Sequence, residues 1–453
     1  MYKVSELQQR YREKLVTADR AVQEVRSGDR VHYGLFGGII RDLDKALAKR
    51  TQELTNVTVY SSIWGNGYVP AILEVDPKAE HFHYISTHFS ALDRKMNKEG
   101  CCWFMPVQFR ENPKLYEENL PTPVDVAMLQ VAPMDKWGNF NLGPQVADYW
   151  GIIPKARKVI VEVNEKMPIN HGIENVINLS QVDLVVEGSN LPMNTFDPQP
   201  AGEVEKQIAR NIFPYIRSGS TLQLGIGGIP STIGAMLADS DIDDLSVHTE
   251  MFVDSYLKLY EAGKISSNKN VNKGKMVYTF ASGSQALMDF IDDNPITWAV
   301  PVDYVNDIHV IGSIDKMVSI NSCLQVDLFG QVNSESAKWQ HIGGTGGQLD
   351  YVMGAFHSNG GQSFLCTPST RVGKDGKVES LICPRFPEGS IVSVPRSATH
   401  FIVTEYGAVN LKGKTTYERA ELLISIAHPD FREELMQQAE RMGIWKKSSK
   451  VQP

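Results

Sequence analysis

A carboxylate near the end of a short apolar run is the first feature of this sequence that could do chemistry. The run LSVHTEMFVD has the β-branched and aromatic residues of a strand, and we expect that strand to end at Glu250. Ligands of open α/β sheets bind at the carboxyl ends of strands, where a carboxylate can act as a base, a metal ligand or a nucleophile. The alternative is a glutamate in a surface ion pair. His248 would share the face of Glu250, either packing there or orienting nearby groups.

A glycine loop, GIGGIP from Gly225 through Gly227 and Gly228 to Pro230, separates the strand TLQLG from a predicted helix. Glycine permits close backbone approach, and amide N–H groups at a helix start can bind an anion. A dinucleotide fingerprint needs glycine where Pro230 stands, which argues against a nicotinamide-dependent dehydrogenase. Proline instead suits the first turn of a helix. A tight turn without a ligand is the alternative.

A second glycine run, GGTGG, includes Gly343, Gly344 and Gly347. Closely spaced glycines can point several amides at a developing negative charge, as an oxyanion hole requires. A structural bend is the alternative explanation of this run.

Two patterns that could bind metal fail on spacing. The aspartates of residues 239–243 and Glu250 fall at acidic positions of a calcium loop, but Asp244 stands where that loop requires glycine. The histidines of HFHYISTHF, residues 81–89, have no HExxH pattern or spaced acidic partner. We therefore expect no metal site, and no GxSxG elbow or local cysteine signature indicates another nucleophile.

The composition indicates a large globular protein. With 453 residues, two domains are the default expectation, and the formal charge of −8 gives no reason to expect binding to nucleic acid or to an anionic membrane. The sequence has no apolar run long enough to span a bilayer, and its N-terminus is polar. Of the five cysteines two are adjacent and three are widely scattered, which suits free thiols in a reducing compartment, so we expect a cytoplasmic protein.

The elements that must position these residues alternate between strands and helices. Short valine-rich runs such as VDVAMLQVAP and RKVIVEVN are typical of parallel strands buried on both faces. Helical spacing in IIRDLDKALAKR and strand-like alternation in NVTVYSSI continue the pattern. The sequence therefore predicts an α/β fold with largely parallel sheets.

A change in composition predicts a division of the chain. The segment EGSNLPMNTFDPQPAGE has three prolines and no periodicity, so we predict an N-terminal α/β domain over residues 1–190, a linker over 191–203 and a C-terminal α/β domain over 204–453. Both halves open with a helix, an SGD or SGS turn, an apolar strand, a glycine turn and a helix. This repetition indicates an internal duplication.

Taken together, the segments resemble the acetyl-CoA hydrolase/4-hydroxybutyrate CoA-transferase family, a branch of the family I CoA-transferases. The matching stretches occur in the family's order over nearly the whole chain: DVAMLQVAPMDKWGNFNLG, VNEKMPINHG, LQLGIGGIP, HTEMFVD, PVDYVND, DLFGQVNSES, GGTGGQLDYVMGA, VTEYGAVNLKGKTTYERA and IAHPDFREEL. The resemblance implies two tandem domains of the NagB/RpiA/CoA-transferase type.

The resemblance also implies a role for each candidate residue. Glu250 matches the catalytic glutamate, and Asn306 matches an asparagine that contacts the acyl carboxylate. The amides of the two glycine runs match the oxyanion and CoA-binding segments: Gly225, Gly227, Gly228, Gly343, Gly344 and Gly347. The chain departs from the family in having Ile308 where relatives have proline.

The activity implied is transfer of CoA between a short-chain acyl-CoA (butyryl-, 4-hydroxybutyryl- or acetyl-CoA) and a carboxylate such as acetate. The expected route is ping-pong, through a thioester between CoA and Glu250. Coenzyme A would be a substrate, no permanently bound cofactor is expected, and the chain would form a homodimer or a larger homo-oligomer. Two alternatives stay open at this point, an acyl-CoA hydrolase on the same scaffold and a non-catalytic CoA-binding module.

Overall fold

The computed structural model of the chain describes residues 4–62, 68–120, 123–193, 195, 200–225 and 227–447. Contacts divide the chain into two compact units. The first comprises Met1–Asp197, His248–Asp254 and Gly274–Asp307, and the second comprises Pro198–Val247, Ser255–Lys273 and Ile308–Pro453.

The helices are mostly short, as expected for connections between strands. In chain order they are α1 Val4–Lys14, α2 Ala18–Ala21, α3 Asp42–Ala48, α4 Ala71–Val75, α5 Ala91–Glu99, α6 Asn112–Lys114, α7 Glu203–Ile212, α8 Gly228–Ala238, α9 Asp254–Glu261, α10 Gln285–Ile291, α11 Val302–Val305, α12 Ile308–Ser313, α13 Gln348–His357, α14 Thr416–Ser425 and α15 Pro429–Arg441. No helix in the described ranges is long and apolar enough to cross a membrane.

The strands are also short. They are β1 Arg30–Leu35, β2 Val57–Ser62, β3 Phe82–Ser86, β4 Cys102–Phe104, β5 Val126–Val131, β6 Asn139–Asn141, β7 Lys158–Val163, β8 His171–Gly172, β9 Val176–Asn178, β10 Leu184–Glu187, β11 Thr221–Leu224, β12 Ser246–Phe252, β13 Met276–Ala281, β14 Thr297–Ala299, β15 Met317–Ser322, β16 Gln325–Asp327, β17 Val332–Asn333, β18 Ser336–Ala337, β19 Gln340–His341, β20 Gln362–Cys366, β21 Thr370–Val372, β22 Val378–Ser380, β23 Ile382–Cys383, β24 Phe401–Thr404 and β25 Gly407–Asn410.

The first unit contains a seven-stranded sheet of order β10-β7-β5-β1-β2-β3-β4, in which every pair is parallel. Its central strands are buried on both faces, because helices and loops cover both sides of a parallel sheet. In this unit, β13 also pairs in parallel with residues 248–252 of β12 on one side and with β14 on the other.

The second unit is built on the strand order β25-β24-β20-β15-β11, followed by Ser246 and Val247 of β12. All pairs are parallel except β24 with the edge strand β25, which is antiparallel. Helices α14 and α15 pack against this part of the chain through a core that includes Leu423 and Leu435.

Each unit has a point where the strand order reverses. In the first unit the chain proceeds from β1 to β2 on one side, while β5 and β7 lie on the other. In the second unit β11 stands in the same way between β12 and β15. Both strands, β1 and β11, lead into glycine turns, as the repeated sequence pattern predicts. Such switch points are where open α/β sheets bind ligands.

The structure confirms the predicted fold class, a mixed α/β protein with mostly parallel sheets. One predicted boundary was wrong: the strand that carries Glu250 continues to Phe252, because Met251 and Phe252 keep their register with β13. The predicted linker over residues 191–203 lies partly outside the described residues, and the domain boundaries drawn from the sequence stay a prediction.

Candidate active site

Glu250 lies near the carboxyl end of β12, in the first unit. The strand is buried from Ser246 to Thr249, whereas Glu250 and Met251 are partly exposed. Parallel pairing fixes the backbone on either side of Glu250, since Thr249 pairs with Tyr278 and Met251 with Phe280. The carboxylate is therefore held on a rigid element at the point where the strand emerges from the core.

The side chain of Asn306 contacts that carboxylate directly. Its Nδ2 atom donates a hydrogen bond of 2.6 Å to Oε2 of Glu250, although the two residues are 56 positions apart in the chain. Asn306 is completely buried. Hydrogen bonds to charged groups are shorter and stronger than neutral ones, so this contact fixes the orientation of the carboxylate.

The backbone of Asn306 is held at the end of the short helix α11. The N–H of Val302 donates to the carbonyl of Ala147, and the N–H of Asn306 donates to the carbonyl of Val302, both at 2.9 Å. Val305 packs with Val277 and Val300 in a small apolar cluster. These contacts bring the end of α11 onto the strands that carry Glu250 and its neighbours.

His248, which shares the face of Glu250 on β12, is completely buried. Its Nε2 atom lies 2.8 Å from the carbonyl oxygen of Val305. Because a carbonyl only accepts, Nε2 carries the proton. The sequence indicated the shared face but could not identify this partner, which is 57 residues away.

In the second unit, the first glycine loop follows β11 at the switch point beside β15. Gly225 donates its N–H to the carbonyl of Ile320 at 3.1 Å. Gly227 has φ of 111°, a conformation that favours glycine, and it precedes α8, whose first residue is Gly228. Pro230 lies in the first turn of that helix, as predicted. Ile226 lies outside the described residues.

The second glycine run leads into α13. The N–H of Gly343 lies 3.4 Å from the carbonyl of Glu335, and the hydroxyl of Thr345 donates to the carboxylate of Glu335 at 3.2 Å. Gly347 immediately precedes α13. The first helical residue, Gln348, donates from Nε2 to the carbonyl of Ser322 at 2.8 Å.

Both glycine runs are thus anchored at the carboxyl end of β15, one through Ile320 and the other through Ser322. A polar network stiffens this end of the sheet. Oε1 of Gln223 accepts from Ser319 at 2.6 Å and from Asn321 at 3.0 Å. This network could not be predicted from the sequence, because single polar residues within apolar strands give no signal of their partners.

The candidate residues fall into two groups. Glu250 and Asn306 belong to the first unit, where they are hydrogen-bonded to each other. The six candidate glycines belong to the second unit. The N–H groups of Gly225 and Gly343 donate to backbone carbonyls, whereas Gly228 opens a helix, where the first N–H groups have no partner within the helix.

The arrangement around Glu250 suits nucleophilic chemistry. The carboxylate of Glu250 is partly exposed and oriented by an amide donor, which cannot exchange a proton with it as a histidine would. In the second unit, amides at helix starts beside a switch point suit an anionic ligand or a developing oxyanion.

Comparison with known proteins shows the family to which the chain is similar. Residues 1–196 match the model of the acetyl-CoA hydrolase/transferase N-terminal domain, and residues 283–439 match that of the C-terminal domain. The chain is 46% identical to a probable butyrate:acetyl-CoA coenzyme A-transferase of Syntrophomonas wolfei, over 98% of this chain and 99% of that protein. It is also 46% identical to a butyryl-CoA:acetate CoA-transferase of Anaerostipes caccae, over 97% and 99% of the two chains.

Solved structures give the same result. The crystal structure of a 4-hydroxybutyrate CoA-transferase from Porphyromonas gingivalis is similar with a TM-score of 0.79 and 33% identity, over 96% of this chain and 99% of that one. Sequence and fold therefore agree over nearly the full length, and the chain belongs to the acetyl-CoA hydrolase/transferase family.

Proposed function

We propose that this protein is a CoA-transferase that moves CoA from a short-chain acyl-CoA, such as butyryl-CoA, to a carboxylate acceptor such as acetate. The observation that carries the proposal is the partly exposed carboxylate of Glu250, oriented by the 2.6 Å hydrogen bond from Asn306. The relatives named as butyrate:acetyl-CoA and butyryl-CoA:acetate CoA-transferases support this substrate class.

In the first half-reaction an oxygen of Glu250 attacks the thioester carbonyl of the acyl-CoA. The C–S bond breaks, giving a mixed anhydride between the acyl group and Glu250 and releasing CoA as thiolate. The thiolate then attacks the glutamyl carbonyl of the anhydride. The acyl group leaves as its carboxylate, and CoA is now joined to Glu250 as a thioester.

The second half-reaction reverses these steps with the acceptor. Acetate attacks the glutamyl thioester, forms a second mixed anhydride and displaces the CoA thiolate. The thiolate attacks the acetyl carbonyl, which yields acetyl-CoA and restores the carboxylate of Glu250. One thioester is consumed and another is formed, with no net change in protons or electrons. The reaction therefore conserves the energy of the thioester.

Each addition passes through an oxyanion that needs hydrogen-bond donors. The amides of Gly227, Gly228, Gly344 and Gly347 are the candidates, since the N–H groups of Gly225 and Gly343 donate to protein carbonyls. Asn306 would orient Glu250 as the nucleophile and contact the acyl carboxylate once cleavage of the anhydride has released it.

Coenzyme A enters this scheme as a substrate, and the chemistry requires no permanently bound cofactor. We place the enzyme in the cytoplasm as a homodimer or a larger homo-oligomer. The free thiols of the five cysteines support a reducing compartment. Light scattering of the purified protein would test the oligomeric state.

The test compares transfer with hydrolysis. The protein is given butyryl-CoA with and without acetate, and acetyl-CoA, butyrate and free CoA are measured. We expect acetyl-CoA to form in proportion to the butyryl-CoA consumed, with little free CoA when acetate is absent. Free CoA accumulating equally with and without acetate would identify a hydrolase and contradict the proposal.

A matched pair of variants assigns the nucleophile. Glu250→Gln should abolish the transfer of CoA, because an amide cannot form the anhydride. Glu187→Gln alters another carboxylate at the end of a strand of the first unit, at β10, and should retain the wild-type rate. Full transfer by Glu250→Gln would exclude Glu250 as the nucleophile.

A further inference from the structure

His248 has no role in the reaction steps proposed above, yet its ring is hydrogen-bonded to the helix that leads into Asn306. It is completely buried on β12, two residues before Glu250. Side chains two positions apart on a strand point to the same face. His248 and Glu250 therefore lie side by side on the face that meets α11.

The ring of His248 holds the carboxyl end of that helix. Nε2 donates to the carbonyl of Val305 at 2.8 Å, and Val305 is the last residue of α11. The last carbonyls of a helix have no partner within it. A helix of four residues is also too short to persist without tertiary contacts. The bond from His248 is one such contact, and it fixes the position of the last residue of α11.

That carbonyl belongs to the same peptide group as the N–H of Asn306. The peptide group is planar, so its two ends move together. His248 holds the oxygen end, and the carbonyl of Val302 accepts from the nitrogen end at 2.9 Å. The peptide group between Val305 and Asn306 is thus hydrogen-bonded at both its oxygen and its nitrogen. These two bonds set the direction in which the side chain of Asn306 leaves the backbone.

The contacts form a closed ring. His248 and Glu250 stand on one strand, Val305 and Asn306 on the helix end, and two hydrogen bonds of 2.8 Å and 2.6 Å join the two sides. We infer that His248 is a positioning residue that aims the Asn306 amide at the Glu250 carboxylate. The inference rests on the proposed function, in which Glu250 is the nucleophile.

A double-mutant cycle tests it. The rate of butyrate release from butyryl-CoA in a single turnover without an acceptor is measured for the wild type, His248→Leu, Asn306→Ala and the double variant. We expect His248→Leu to slow this step roughly ten- to hundredfold at saturating butyryl-CoA, because small misplacements of reacting groups have effects of this size. In the Asn306→Ala background the same substitution should change the rate by less than about twofold, because the group that His248 aims is gone.

A series at position 248 adds a second readout. Glutamine places an amide N–H close to the position of Nε2, whereas asparagine is too short to reach the Val305 carbonyl. His248→Gln should therefore recover most of the rate, and His248→Asn should resemble His248→Leu. If the leucine variant does not fold, the asparagine variant takes its place in the cycle.

A matched control is His81, whose Nδ1 lies 2.7 Å from the carbonyl of Leu54 in the same unit, beside a different strand. His81→Leu should leave the single-turnover rate near that of the wild type. Equal slowing by His248→Leu in both backgrounds, or failure of glutamine to recover the rate, would show a purely structural role and overturn the inference. A wild-type protein that transfers no CoA would instead reject the proposed function.

Discussion

At the scale of single residues, the proposed mechanism depends on the contact between Asn306 and Glu250. A buried amide donates to a partly exposed carboxylate at 2.6 Å, and the two come from segments 56 residues apart. The family motifs identified both residues in the sequence. Their direct contact depends on the pairing of β12 with β13 and on the end of α11, which no local motif contains.

Asn306→Ala should lower kcat for CoA transfer by about ten- to a hundredfold, because a hydrogen bond to a charged group contributes about 1.5–3 kcal/mol. Steady-state kinetics with butyryl-CoA and acetate measures the effect. Asn97→Ala is the control, since Asn97 Nδ2 donates at 2.8 Å to the carbonyl of Cys102 at the far edge of the seven-stranded sheet. An unchanged kcat for Asn306→Ala would remove Asn306 from the mechanism.

At the scale of elements, the loop between β11 and α8 is the part that the sequence predicted best. Strand, glycine turn and helix occur in the predicted order, and Pro230 lies in the first helical turn. The extension of β12 past Glu250 was missed, because the register with β13 decides where that strand ends. Propensities of single residues carry no information about a partner strand.

Gly227 offers a test of this loop. Its φ of 111° and ψ of −173° lie in a region that only glycine adopts readily, while a Cβ at this position would meet no described atom within 4 Å. Gly227→Ala should therefore lower stability by about 1–3 kcal/mol through backbone strain alone and should slow transfer by displacing the start of α8. Chemical denaturation and steady-state kinetics measure the two effects.

Gly263 is the matched control for that change. It lies in the second unit after α9, also has a positive φ of 70°, and a Cβ there would likewise meet no described atom within 4 Å. Gly263→Ala should cost about 1–2 kcal/mol of stability yet keep the transfer rate of the folded protein. If Gly227→Ala and Gly263→Ala transfer CoA at the same rate, the β11–α8 loop has no role in catalysis.

At the scale of the whole molecule, each compact unit is made of three separate segments of the chain. Residues 248–254 and 274–307 group with the N-terminal residues, so the chain passes between the units more than once. Composition reveals a linker only where a segment is locally unlike its neighbours. It cannot show that strands β12 and β13 pack with residues more than a hundred positions earlier, since such contacts leave no local pattern.

The first unit should also show a characteristic pH dependence. Burial raises the pKa of Asp148 from 3.8 to about 7, and Asn112 Nδ2 donates to this carboxyl at 2.9 Å. Between pH 4 and 7 the folded state keeps a proton that the unfolded state has lost. The contribution of Asp148 to stability therefore falls as pH rises through this window and is constant above it.

Asp148→Asn removes this titration while keeping an oxygen that can accept from Asn112. The free energy of unfolding of the variant, relative to the wild type, should increase by more than about 1 kcal/mol between pH 4 and 7, since one pKa unit corresponds to about 1.4 kcal/mol. Urea denaturation at a series of pH values measures this difference. A difference independent of pH would contradict the assignment of a raised pKa to Asp148.

The most direct test of the central claim is to trap the covalent intermediate on Glu250. The protein is incubated with butyryl-CoA without an acceptor, reduced with borohydride and digested, and its peptides are mapped by mass spectrometry. We expect the carboxyl of Glu250 to be reduced to the alcohol only when acyl-CoA is present, because borohydride reduces thioesters and leaves carboxylates intact. An unmodified Glu250 in a preparation that transfers CoA from butyryl-CoA to acetate would contradict the glutamyl thioester.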